Sequence, residues 1–325
     1  MRPRVTALAV LAILTAVASS AHAQFPSGFP AKPVKFIVPF PGGGINDVAA
    51  RIAADKLTAK WGQTIVVENK TGAGGNIGAD FVAQAEPDGS ILFITPPGPL
   101  AINQSLYRQL LYKPEDFVPI TMLAAVTNLI IVRPEIGVNS VAELITLARK
   151  NPGKVTYGSQ GNGSTPHLTG SMFMTMTGVS LIHVPYRGEN LVVNDMLGGH
   201  VDVFFGNIAP VLPHYRDGKL KVLAVADVKR AASIPDVPTA AEAGLPGFVS
   251  TFWFAVVGPP KLPSTLAQRF AADFADVLQM PDVQTKYRSV GAEPGGAGPT
   301  ETAAFIKAET ARWRDVIIKN NIRVE

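Results

Sequence analysis

Three glycine-rich turns carry the residue types best suited to gripping an anion. The first, "FIVPFPGGGIND" from Phe36 to Asp47, runs an apolar stretch through three glycines into a helix start. Glycine lets a backbone approach a ligand closely, and a helix N-terminus offers free N–H groups at the positive end of its dipole. An anion is the natural guest. The competing reading is a tight strand-to-helix turn with Asp47 as helix cap. The second turn, "TGAGGNIGAD" from Thr71 to Asp80, divides evenly between backbone packing and ligand contact. The third, "GSQGNGSTPH" from Gly158 to His167, follows a strand-like run and opens a helix with Ser164 or Thr165 as cap and Pro166 in the first turn. It can hold a second anion.

Other chemistries fit less well. The first turn lacks the Lys-Ser/Thr ending of a phosphate loop and the dinucleotide-binding spacing, and the second misses that spacing because Ile77 stands where a third glycine is required. Ser159 misses a nucleophile elbow, since Tyr157 occupies the position of its first glycine. A secreted α/β hydrolase using Ser159 or Ser164 is the alternative function; it needs a paired base that the sequence does not display. His167, His183, His200 and His214 form no i,i+4 pair and no zinc-site pattern. Arg187 and Asn207 each follow a strand-like run, where a guanidinium can pair with a carboxylate and where open α/β sheets place ligands. Phe252 and Trp253 either wall a cleft or fill a core.

The elements that must position these residues start after a leader. Arg2 and Arg4 precede the apolar run "VTALAVLAILTAVA" and the small-residue signal "AHA", which reads as a signal peptide over residues 1–23 cleaved after Ala23. The run is shorter than the roughly 20 residues a membrane span needs. No cysteine occurs, which excludes disulfides, thiolate metal sites and a lipidated N-terminal cysteine. The formal charge is +4 (29 basic, 25 acidic residues); without Arg2 and Arg4 it becomes 27 − 25 = +2, and no basic cluster suggests nucleic acid.

With 325 residues the chain has room for two domains. From Lys35, β-rich runs alternate with helical patterns, the signature of α/β architecture with a parallel sheet. "KFIVPF", "INDVAARIAADKLTAKWG", "TIVVEN", "NIGADFVAQAE" and "SILFIT" form a βαβαβ unit in which Val48, Ile52, Leu57 and Trp61 share a helix face and Gly62 ends it. A second cycle runs from "NLIIVRP" to "KVLAVAD", with Ser140 and Glu143 as a capping box. The strand-like "STFWFAVVGPPKLP" and two helices then pack back on the first lobe. Crossovers near 122–127 and 245–252 define lobe 1 as residues 24–124 plus 249–325 and lobe 2 as 125–248, each a parallel-rich sheet flanked by helices.

The leader followed by "VPFPGGGIND", "GQTIVVENKTGAGGNIGAD", "PDGSILF", "YGSQGNGSTPHL", "HVPYRG" and "GGHVDVFF", in this order over essentially the whole mature chain, resembles the extracytoplasmic solute receptors of the tripartite tricarboxylate transporters, the Bug family. The resemblance implies a two-lobed, Venus-flytrap periplasmic binding protein, a monomer, that closes on a small organic carboxylate and delivers it to membrane permease subunits, with no catalytic residue, metal or cofactor and no nucleic-acid partner. A sensor that binds the same acid and reports to a signalling protein is left open. The implied site comprises Phe40, Pro41, Gly42, Gly43, Asn46 and Asp47 in one lobe and Ser159, Gln160, Gly161, Asn162, Gly163, Ser164 and Thr165 in the other, with Thr95, Arg187 and Asn207 as looser members. An apolar entrance from Phe40, Pro96 and Pro97 tilts the expected ligand toward an aromatic acid or an extended dicarboxylate.

Overall fold

A computed structural model describes residues 33–324, so the leader expected over residues 1–23 lies outside the described residues. The first half follows the expected alternation: β1 (Val34–Val38), α1 (Ile45–Trp61), β2 (Ile65–Asn69), α2 (Asn76–Ala83), β3 (Ile91–Thr95) and α3 (Asn103–Leu106). The chain continues through β4 (Val118–Val132), α4 (Val141–Lys150), β5 (Thr156–Ser159), α5 (Thr165–Thr177), β6 (Ile182–Pro185), α6 (Glu189–Leu197), β7 (Val203–Asn207), α7 (Ile208–Arg216) and β8 (Lys221–Val225). It ends with β9 (Thr251–Gly258), α8 (Ser264–Leu278), α9 (Pro281–Ser289), β10 (Glu293–Pro294) and α10 (Pro299–Lys319).

Local chemistry sets several of these limits. Gly62 ends α1 in the left-handed region at φ 64°, its N–H bonding Thr58 O. Ser140 Oγ accepts from Glu143 N at 3.1 Å at the start of α4, while the Glu143 carboxylate takes Asn139 N rather than the cap residue's own N–H. Asp47 is not the N-cap expected of it. Helix α1 starts one turn earlier, after Gly44, so Asp47 is the third helical residue and reaches back to Gly43 N.

The sheet is mixed: its parallel pairs lie within each half, and its antiparallel pairs are all made by β4 and β9. Its order is β2-β1-β3-β9-β4-β7-β5-β6, with β8 and β10 also on β4. Pairs β1–β2, β1–β3, β5–β6 and β5–β7 are parallel, whereas β3–β9, β4–β9, β4–β7 and β4–β8 are antiparallel. The run "NLIIVRP" does not open a new strand: its first five residues continue the preceding "VPITMLAAVT" as one strand of 15 residues, Val118–Val132. Val118–Thr127 of that strand pair with β9, and Asn128–Val132 pair with β7 and β8. Because β4 and β9 cross between the two halves, they must run against neighbours that belong to βαβ units.

Aromatic packing fixes each half. Phe36, Trp61, Phe270 and Phe274 stack between β1, α1 and α8, and Tyr157, Phe173, Phe205 and Phe248 form a second cluster around β5, α5 and β7. Each fully buried ring contributes about 2–3 kcal/mol of apolar burial. The C-terminal helix α10 packs back on the first half as expected, against β4 and α3, and also reaches α5 in the second half. There Glu309, 6% exposed, accepts hydrogen bonds from Trp253 Nε1 at 2.9 Å, Trp313 Nε1 at 3.2 Å and Arg312 Nη2 at 2.8 Å. Arg312 Nη1 also bonds Val249 O, just before β9.

Candidate functional site

A cleft of about 930 Å³ opens at the carboxyl ends of the parallel strands, the place where α/β sheets put ligands. One wall is the β1–α1 turn, from Phe40 to Asn46, backed by Pro96, Asn103 and Tyr107. The other comprises the β5–α5 loop from Gln160 to Thr165, the β6–α6 loop from Arg187 to Leu191, and Asn207 at the end of β7. Phe252 of β9 lies between them.

Four helices, α1, α5, α6 and α7, begin at this cleft, after Gly44, Ser164, Gly188 and Asn207. None of the four N-cap residues makes a side-chain cap hydrogen bond. Their first-turn N–H groups therefore have neither an intrahelical acceptor nor a cap side chain, and their dipoles share one polarity at one place. That arrangement stabilises a negative charge.

The β1–α1 turn is held from behind. Asp47, 3% exposed, accepts Gly43 N at 2.9 Å and Asn69 Nδ2 at 3.0 Å, and takes two bonds from Arg51 at 2.9 Å. Asn69 Nδ2 also bonds Phe40 O at 2.9 Å. Burial pushes the Asp47 pKa up, but hydrogen bonds from Arg51, Gly43 and Asn69 outweigh it and hold the carboxyl below the usual range. Gly43 adopts φ 81°, which explains a glycine there.

The opposite loop rests on two stacked imidazoles. His167 and His183 lie 4.1 Å apart with planes 17° from parallel, over Tyr157. Gly163 N donates to His167 Nδ1 at 3.0 Å, and Ser159 Oγ lies 2.6 Å from His183 Nε2 while accepting Gly161 N at 3.0 Å. Burial, with a smaller contribution from His183, pushes the His167 pKa down to about 4. Both rings are neutral near pH 7.

Twelve of the sixteen candidate residues reach the cleft wall: Phe40, Pro41, Gly42, Gly43, Asn46, Gln160, Asn162, Gly163, Ser164, Thr165, Arg187 and Asn207. Four do not. Asp47 turns to Arg51 and Asn69, Thr95 is fully buried at the end of β3, Ser159 is fully buried against His183, and Gly161 sits behind Ser164, whose Oγ donates to its carbonyl. In the second glycine turn only Gly74 lines the cleft, while Gly75 packs against Pro99 and Pro39. The sequence reading missed Glu189, Asn103 and Tyr107. Glu189 was within reach of it, two residues beyond Arg187 in the same strand-to-helix turn.

The profile of the tripartite tricarboxylate transporter family receptor matches residues 49–322. The chain belongs to that receptor family. It is similar to protein BugT of Bordetella pertussis, with 36% identity over 320 residues, 98% of each chain. Among solved structures it is similar to R. palustris Rpa4515 with adipate, at TM-score 0.80 and 37% identity over 91% of this chain and all of that one. It is also similar to MatC (Rpa3494) from Rhodopseudomonas palustris with bound malate, at TM-score 0.77 and 30% identity over 89% of this chain and all of that one. The fold of this receptor family member is the two-lobed α/β fold of periplasmic solute-binding proteins. No helix among the described residues is long and apolar enough to cross a membrane, and no group of three or more His, Asp or Glu among them can hold a metal ion.

Proposed function

We propose that this protein is a monomeric periplasmic receptor, exported by its leader and cleaved after Ala23, that encloses a small organic carboxylate between two lobes and delivers it to membrane permease subunits. The observation that carries the reading is the convergence of four helix N-termini, none with a side-chain cap, on one cleft whose glycine loops come from both halves of the chain. The adipate and malate in the two R. palustris structures point the same way. Lobe 1 is residues 24–124 plus 249–325 and lobe 2 is 125–248. The change of β4 partners between Thr127 and Asn128, and the return at Thr251, support a hinge there. A ligand touching both walls shifts the open–closed balance by its differential affinity for the closed form.

The cleft does not favour catalysis. Among the described residues the serine with an adjacent imidazole, Ser159, is fully buried, tied to its own loop and away from the cleft wall, and its His183 stacks on a histidine instead of being oriented by a carboxylate. The deciding experiment is thermal denaturation of the chain from Gln24 to Glu325 against mono-, di- and tricarboxylates, amino acids and aromatic acids. A ligand at about 100 times its dissociation constant adds about 2.7 kcal/mol, and a shift confined to one carboxylate class is expected. A folded protein that no carboxylate stabilises would overturn the reading.

A further inference from the structure

Two charged side chains line the cleft, Arg187 and Glu189. No ion pair joins them among the described residues, so the carboxylate of Glu189 is an acceptor facing a site that otherwise suits anions. Asn207 Nδ2 donates to Glu189 Oε1 at 2.6 Å, and Gln160 of the β5–α5 loop on the same wall bonds it too. Asn207 is 4% exposed, and with its amide donor committed to Glu189, its Oδ1 has no partner. Asn46, across the cleft and also 4% exposed, repeats the pattern: one Nδ2–H donates to Ile94 O and its Oδ1 is unpartnered. Buried acceptors without donors are costly, and a bound group with hydrogens to give relieves them.

We propose that Glu189 is a specificity-determining residue and that the ligand end lying against it is a hydrogen-bond donor: a carboxyl that keeps or shares its proton, a hydroxyl or an ammonium, and not a bare carboxylate. This rests on the carboxylate-receptor reading, with the ligand's other end held as an anion by the helix N-termini. As the first residue of α6, Glu189 sits where a helix dipole favours ionisation, yet burial is the larger influence and, against the bonds from Asn207 and Gln160, pushes its pKa up to about 7. Apart from Arg187, whose exposed guanidinium is screened by solvent, the surrounding titratable groups do not compensate a second negative charge. On its own helix and loop, Tyr186 is bonded to Asp195 and Arg187 is exposed. Beneath the β5–α5 loop, His167 and His183 are held neutral by burial and Tyr157 is kept protonated by it. On α7, His214, Tyr215 and Arg216 lie at the helix end away from Asn207.

The test is calorimetric titration of the mature chain and of Glu189→Gln with three acids of equal length, adipate, 6-hydroxyhexanoate and 6-aminohexanoate, at about pH 5.5 and pH 8. Glutamine preserves the acceptor for Asn207. With Glu189 titrating near 7, its protonated fraction falls from nearly all to about one-tenth across that range, so wild-type affinity for adipate should drop about tenfold. The hydroxy acid should show no such drop, the amino acid should gain at pH 8, and Glu189→Gln should abolish the pH dependence for adipate. Wild-type adipate affinity that is equal at both pH values, with Glu189→Gln shifting all three acids by one factor, would overturn the proposal while leaving the receptor reading intact. Folded protein that binds no carboxylate at either pH would instead remove the receptor reading and this inference with it.

Discussion

Replacing Asp47 by alanine tests whether this residue positions the first glycine turn without touching ligand. The substitution removes the acceptor for Gly43 N and Asn69 Nδ2, both at about the distance of strong charge-assisted bonds, and for two N–H groups of Arg51. The first two contribute about 1.5 kcal/mol each. Arg51 is half exposed, so its ion pair adds at most about 1 kcal/mol after solvent screening. A loss of about 3–4 kcal/mol follows, which at a urea slope of about 3 kcal/mol per molar moves the unfolding midpoint down by about 1 M or slightly more. Asp47→Asn keeps one acceptor oxygen and should lose roughly half as much. Its pH signature is also defined. A depressed carboxyl pKa stabilises the fold above the unfolded value near 3.9, and that stability disappears as pH falls through the folded pKa, so Asp47→Asn should flatten the stability curve below about pH 4. Because the carboxylate does not line the cleft, the ranking of ligands should be the same in wild type and both variants. Alanine within about 0.5 kcal/mol of wild type, or a reordered ligand ranking in the asparagine variant, would refute the reasoning.

Three more outcomes follow from named contacts. His167 stays neutral in the fold while its unfolded form takes a proton below about pH 6.5, so stability should fall on the order of 3 kcal/mol between about pH 6.5 and 4, and His167→Asn should remove most of that slope in urea titrations across pH. Glu309→Gln leaves the partly buried Arg312 guanidinium, 24% exposed, against a neutral amide and should cost about 2 kcal/mol in the same unfolding assay. Gly163 has φ 78°, and an added Cβ meets Leu106 Cδ1 at 2.5 Å across the cleft. Gly163→Ala should therefore weaken carboxylate binding about tenfold or more by calorimetry, while circular dichroism stays native.

Much of the architecture was written in local chemistry. Alternating β-rich and helical runs, Gly62 behind α1 and glycine turns after β1 and β5 each depend on neighbours a few residues apart, and all appear at the expected positions. What local chemistry could not convey is direction and depth. "NLIIVRP" reads as the strand that opens a second cycle, with the crossover from the first lobe placed just before it, near 122–127. Only pairing with β9 on one side and with β7 and β8 on the other makes it the continuation of one crossing strand and the sheet a mixed one. Asp47 and Glu189 show the same limit for the site. Each is a carboxylate in the first turn of a helix at the cleft, yet one is turned away by Arg51 and Asn69, residues it meets through a helix turn and a neighbouring strand, and the other is exposed to the cleft beside Asn207. The sequence by itself therefore determined the elements, the glycine turns and the polarity of the helix starts, because those are set within one or two turns of chain. The tertiary structure alone decided which polar groups face the cleft and with what charge, because burial and hydrogen-bond partners come from residues distant in sequence.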